Sequence, residues 1–214
     1  ENYRRLGAAI GFSCENLVCS DQTHTTNLRV ATEEDRGKGF TRRKDYTDVD
    51  GLVTNVPGLV LATFYADCVP LYLVDPVRRC IGLSHAGWRG TAGKIGKKTA
   101  ELMTEQYGSR PEDLLAAIGP SICQSCYEVS EDVIEKFREA FDERFHTELF
   151  YEKGGGKYQL NLWRANELAF LEAGLCPENI AVTDVCTCCN PALLFSHRAS
   201  KGRRGNLGAF LMLK

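Results

Sequence analysis

Three short apolar runs, residues 58–65, 69–74 and 80–84, follow one another with little chain between them. They are rich in β-branched and aromatic residues and too short for ordinary helices, so they read as strands. Asp75-Pro76-Val77-Arg78-Arg79 joins the second run to the third. That connection has hairpin length, whereas a parallel crossover needs about a dozen residues or more. Antiparallel neighbours are therefore expected here, and a regular doubly wound sheet is not.

Elsewhere, residues 27–31, 50–55, 114–118, 180–185 and 208–213 also read as strands. Helical patterns alternate with them. Residues 1–11 look like a helix already under way, with Leu6, Ala9 and Ile10 on one side. Residues 91–107 place Ile95, Thr99, Leu102, Met103 and Gln106 on one face and stop at Gly108. Residues 130–141 read as a helix with Ser130 as its N-cap and Val133, Ile134, Phe137 and Phe141 inward. Residues 161–173 form another, ended by Gly174. Residues 32–48 are polar and glycine-containing and read as a mobile surface loop. The expected fold class is α/β (α+β): a layered domain with mixed β-sheets flanked by helices. At 214 residues, 1–214 is expected to be a single catalytic domain, the later part of a longer protein that lacks an N-terminal segment here.

A formal charge of -2 gives no electrostatic reason to expect nucleic acid or an anionic membrane as partner. No apolar stretch approaches bilayer-spanning length, and no signal-peptide pattern opens the chain. Ten cysteines are many. Five disulfides in a secreted protein are disfavoured, because the chain is long enough to bury its own core and several cysteines sit in strand-like runs. The expectation is a cytoplasmic, reduced protein with one cysteine on a metal.

Cys68 and His85 fall at the ends of neighbouring strands, with Arg89 four residues beyond the histidine. His24 lies in the polar segment Ser20-Asp21-Gln22-Thr23-His24, beside another strand end, where sites are commonly built. Together His24, Cys68 and His85 offer two imidazoles and a thiolate, a catalytic zinc arrangement with an open fourth position. No local spacing ties the three together. The same residues fit a nucleophilic Cys68 with His85 as base and Asp67 as orienter. A rival metal set is Cys123-x-x-Cys126 with Cys186, Cys188 and Cys189. Because Cys188-Cys189 is not a C-x-x-C pair, that set ranks below the first. Blue copper would need an axial ligand such as Met103 or Met212, which nothing in the sequence supports. A multicopper oxidase would need more than the four histidines present. His146, in a charged stretch, and His197 read as solvated.

Four motifs in order, Asp67-Cys68-x-Pro70, His85-Ala86-Gly87-Trp88-Arg89-Gly90, Gly119-Pro120-Ser-Ile with Cys126-Tyr127-Glu128-Val129, and Cys186-Thr187 with Phe195-Ser196-x-Arg198, resemble the laccase-domain family. Its members were first labelled multicopper polyphenol oxidoreductases and are now described as zinc-dependent purine nucleoside phosphorylases with adenosine deaminase activity. The resemblance implies Zn2+ on His24, Cys68 and His85, and a small-molecule purine nucleoside (adenosine, inosine or methylthioadenosine) and phosphate as substrates. Arg89 and Arg198 are the phosphate candidates, since planar bidentate donors suit that anion. Asp67 is expected to orient a ligand or move a proton. The alternative is Cu2+ at the same ligands, oxidising phenols. Thr25 stands where the family commonly has glycine, and His197 where tyrosine is usual.

Overall fold

The computed structural model describes residues 2–214; Glu1, where the first helix was expected to begin, lies outside the described residues. In chain order the elements are α1 (Asn2–Ile10), β1 (Leu17–Cys19), β2 (Leu28–Val30), β3 (Gly51–Thr54), β4 (Val60–Tyr65), β5 (Val69–Asp75) and β6 (Cys80–Ala86). Then come α2 (Trp88–Ala92), α3 (Ile95–Tyr107), β7 (Leu115–Ile118), β8 (Glu128–Ser130), α4 (Glu131–Ala140) and α5 (His146–Leu149). The chain closes with β9 (Phe150–Gly154), β10 (Lys157–Leu160), α6 (Leu162–Glu172), β11 (Ile180–Val182) and β12 (Leu207–Met212).

Among the described residues the strands form three sheets. The hairpin β5–β6 is antiparallel, as its short connection requires, and it sits at the centre of a six-stranded sheet ordered β11-β7-β5-β6-β3-β2. Both edges of that sheet, β11–β7 and β2–β3, pair parallel, so the sheet is mixed. A second sheet runs β1-β4-β12 and a third β8-β10-β9. Alternation along the central strands splits the core in two. Leu71 and Leu73 face Ile95, Met103, Phe137 and Phe170 of the helices. Leu52, Ile81 and Leu83 face Val18, Leu61 and Ala209 of the β1-β4-β12 sheet. The result is the layered α/β architecture expected. α3 lies close on β6 because residue 82 is glycine: a Cβ there would stand 2.7 Å from Thr99 Cγ2.

Several expectations need correction. The helix read over 91–107 is two helices. Lys94 adopts a left-handed φ of 56°, which breaks the hydrogen-bond ladder after Gly93, and α2 starts earlier, at Trp88. Ser130 occupies the N-cap position of α4, but its hydroxyl bonds the Asp132 carboxylate instead of a backbone amide. The loop 32–48 is pinned: buried Asp35 pairs with Lys38 at 2.8 Å and with Arg29 at 3.0 Å, and Lys38 also reaches Asp45 at 2.9 Å. It remains largely a surface segment, with part of its charge in an ion-pair network anchored on buried Asp35 and Lys38. The β9–β10 hairpin escaped the sequence reading because most of β9 is exposed and carries Glu152 and Lys153, so no apolar alternation marks it. All ten cysteines are free. Among the described residues no helix is long and apolar enough to cross a membrane.

Candidate metal centre

The β5–β6 register sets Pro70 opposite His85 and Val69 opposite Ala86. It therefore brings Cys68, one residue before β5, beside His85. His24 arrives from the polar loop between β1 and β2. One ligand atom from each of the three lies within 4.8 Å of the others. His24 Nε2 stands 3.9 Å from Cys68 Sγ, and the two imidazoles meet edge to face with centroids 5.0 Å apart.

What assembles the trio is a residue that sequence reasoning missed. Asp50, fully buried, leads into β3. Its carboxylate accepts from the backbone amides of Thr23 (3.1 Å), His24 (3.2 Å) and Thr25 (2.8 Å), and from the Thr25 hydroxyl (3.1 Å). It also accepts from His85 Nδ1 at 2.8 Å. An ionised carboxylate only accepts, so a proton sits on Nδ1, and Nε2 is the nitrogen a metal would take in exchange for its proton. One side chain thus folds the turn that carries His24 and fixes the ring of His85. Burial alone would raise the Asp50 carboxyl; His85 and the Thr25 and Thr23 amides outweigh it and hold it at about 2. The available signal was an aspartate heading a strand of wholly buried residues, where a charge needs several partners.

Burial would likewise raise the Cys68 thiol, but His24 and then His85 bring it down to about 6. Burial would lower His85; Asp50 and Cys68 raise it to about 9. The thiol therefore ionises below the imidazole, and thiolate is the form that ligates a metal. One thiolate and two imidazoles fit a zinc-type ion. Two strained backbone positions lie here. His24 (φ 67°) and Asp67 (φ 84°) both take left-handed conformations unusual for residues with a side chain. Gly87 must lack a Cβ, which would stand 2.8 Å from His24 Cδ2 and 3.3 Å from Cys68 Sγ.

A cavity of 160 Å³ opens over His24 and Cys68, walled by Asp67, Trp88, Arg89, Ile122, Tyr127 and Leu162. The Arg89 guanidinium lies 4.3 Å from the Trp88 ring. Those two residues also line an adjoining 490 Å³ groove with Lys136 and Glu139. Asp67 accepts from the Thr187 hydroxyl and the Arg198 amide, both at 2.7 Å, so each oxygen already holds a loop. Arg198 stands behind Tyr127. Its guanidinium donates to the carbonyls of Cys126 (3.2 Å) and Glu128 (2.9 Å) and lies 5.5 Å from the Tyr127 ring. Burial keeps the Tyr127 phenol protonated well above its usual range. Tyr127 lies in the Cys126-Tyr127-Glu128-Val129 motif, and only the fold brings its phenol to the cavity.

The other histidines lie elsewhere. His146 is half-buried, contrary to expectation: its Nε2 is 2.9 Å from the Phe141 carbonyl, and its ring packs on Phe150. His197 is exposed beside Arg204. The rival thiol set does assemble, with one change. Cys123, Cys126, Cys186 and Cys189 place their sulfurs within 4.8 Å of one another, and Cys188 is left out. The objection from Cys188-Cys189 fails because Cys186-Thr-Cys-Cys189 is itself a C-x-x-C pair.

Residues 1–214 match the family described as multi-copper polyphenol oxidoreductase laccase. Purine nucleoside phosphorylase YlmD of Bacillus subtilis is 38% identical over 204 residues, which span 94% of this chain and 72% of that protein. Adenosine deaminase RL5, from an unknown prokaryotic organism, is 36% identical over 194 residues, 90% of this chain and 73% of that protein. The crystal structure of YlmD from Geobacillus stearothermophilus superposes with a TM-score of 0.93 at 38% identity, covering all of this chain and 79% of that one.

Proposed function

The chain belongs to the multi-copper polyphenol oxidoreductase laccase family and is an enzyme, and from that premise we propose that it is a purine nucleoside phosphorylase with adenosine deaminase activity. The observation that carries the reading is one cavity holding His24, Cys68 and Arg89 together. The names of its relatives support phosphorolysis and deamination; the family description alone speaks for copper. Several coppers do not fit the donors present, because His146 and His197 lie apart from the trio. We take residues 1–214 as one catalytic domain. Free thiols are the form that a reducing, cytoplasmic compartment maintains.

In this reading His24, Cys68 and His85 hold Zn2+. When bound, the ion supplies Lewis acidity toward a substrate oxygen or water. Asp50 keeps the proton on His85 Nδ1 and so keeps Nε2 directed at the site. Arg89, braced on Trp88, offers planar donors to phosphate inside the cavity. Arg198 already directs donors to Cys126 and Glu128, so its contribution is to hold Tyr127 and the Asp67 loop in place, with a remaining N–H left as a donor for phosphate. Asp67 acts as a positioning residue, since both its oxygens are bonded. The Tyr127 O–H, held protonated, is a donor to the base or ribose. Trp88, Ile122 and Leu162 keep water away from the ribose carbon while phosphate attacks.

The test is incubation of the purified enzyme with adenosine, inosine and methylthioadenosine, with and without phosphate, with products separated by chromatography. Free base and ribose 1-phosphate (or its methylthio form) are expected only with phosphate, and inosine from adenosine without it. No product from any nucleoside defeats the proposal. Phenol oxidation by the copper-loaded protein, with nucleosides untouched, selects the oxidase instead.

A further inference from the structure

We propose that Cys123, Cys126, Cys186 and Cys189 form a second, closed site that takes one zinc ion and clamps the segment after β7 to the segment after β11. The proposal shares no side chain with the centre at His24, Cys68 and His85, and it stands independently of the function proposed above.

The sulfur geometry is that of a tetrahedron. Four thiolates at about 2.3 Å from one ion lie about 3.8 Å from each other. Here Cys189 Sγ is 3.9 Å from Cys123 Sγ and 3.5 Å from Cys126 Sγ, and all four sulfurs fall within 4.8 Å. A disulfide draws two sulfurs to about 2.05 Å, far shorter than either separation here. A four-iron cluster binds each thiolate to a different iron and so holds the sulfurs further apart. The backbone around the group is built for the same end. Each contributing pair is a C-x-x-C, and the first closes a tight turn through the Cys126 amide to the Cys123 carbonyl at 3.1 Å. The amides of Cys123 (3.3 Å) and Cys189 (3.4 Å) both donate to Cys186 Sγ. Amide donors to a sulfur orient it and favour its ligating form. The two segments run side by side beyond the β7–β11 pair, through the Ser121–Cys186 bridge and the Thr187 amide to the Ser121 carbonyl at 3.1 Å.

Binding is proton exchange without redox: four thiols release four protons and the ion takes four Zn–S bonds. With four protein ligands no position stays open, which makes the site structural. What it holds is one wall of the cavity over His24 and Cys68. The first pair is flanked by Ile122 and Tyr127, and the second encloses Thr187, which bonds Asp67. Cys126 also offers its carbonyl to Arg198.

Metal analysis of the full chain, produced with zinc and purified without chelator, tests this. The wild type should carry one more zinc per chain than either Cys126→Ser or Cys189→Ser, and Cys188→Ser should match the wild type. Cys68→Ala leaves the thiol cluster intact, so X-ray absorption at its zinc should show a shell of four sulfurs at about 2.3 Å. Cobalt-loaded Cys68→Ala should show intense thiolate-to-metal absorption that Cys68→Ala/Cys126→Ser lacks. An unchanged zinc count in the serine variants overturns the proposal. So does metal-free Cys68→Ala, an iron chromophore, or a reductant-sensitive mass deficit showing disulfides. Because the Cys68→Ala substitution does not touch the cluster, misfolding of the serine variants leaves the question decidable.

Discussion

The two ligand clusters are built in opposite ways. The His24–Cys68–His85 trio draws one residue from each of three segments and opens on a cavity. The four-thiol cluster draws two adjacent pairs from two segments and closes on itself. One is held in shape from outside, by Asp50 and by strained turns at His24 and Asp67. The other is held by its own backbone, through amides that donate to Cys186. A site that must bind and release substrate relies on the surrounding fold for its geometry. A site whose task is cohesion supplies geometry to the fold.

The largest effects should separate them by kind. Cys68→Ala is expected to lower nucleoside phosphorolysis by two to three orders of magnitude, on the order of 3–4 kcal/mol of barrier, with little change in melting temperature. Cys126→Ala should do the reverse. It should lower the melting temperature by roughly 5–15 °C, because a structural ion contributes folding energy, while activity measured well below the transition falls far less than in Cys68→Ala. Parallel activity assays and calorimetry on the two variants check both. Equal loss of activity with equal loss of stability in both would erase the distinction.

A sharper probe acts on the support of the open site. Asp50→Asn keeps the size of the side chain but removes the charge that holds Nδ1–H of His85. Metal affinity should fall about 10–100-fold, as for other partners of metal-bound histidine. Zinc at the thiol cluster should stay, since Asp50 makes none of its contacts. Competition with a chromophoric chelator resolves the two sites, and simultaneous loss from both would show that they are coupled.

The same contrast explains what could be read in advance. Strand runs, the β5–β6 hairpin and helices α3, α4 and α6 follow from local pattern. So does the C-x-x-C at Cys123, whose partner pair was obscured by the extra thiol at Cys188. The open trio has no local spacing, because folding alone brings residue 24 to residues 68 and 85; residue types and strand-end positions suggested it, and resemblance to a family strengthened it. Asp50 carried no motif. Its role depends on five donors gathered by the turn at 23–25 and by the β3–β6 pairing, which sets Gly51 opposite Ser84, next to His85. The loop 32–48 misled for a related reason: charges that look solvated in sequence face one another in the fold.

That loop supplies the smallest prediction, a baseline for the other two. Asp35 sits between Lys38 and Arg29 and belongs to neither cluster. Burial alone would raise its carboxyl; Lys38, the Thr32 amide and Arg29 outweigh it and hold it at about 2. A carboxyl held below its unfolded value of about 3.9 stabilises the fold fully above that pH. The contribution is lost as pH falls from about 4 toward about 2, where the folded form takes up its proton. Because Arg29 is half-exposed, the amount should be only about 1–2 kcal/mol. Asp35→Asn should therefore unfold more readily in urea at pH 7 by that margin and lose much of the acid sensitivity between pH 4 and 2. Activity and zinc content per folded chain should not change. If they did, the loop would be part of the open site's support, and Asp50 would no longer be its principal anchor.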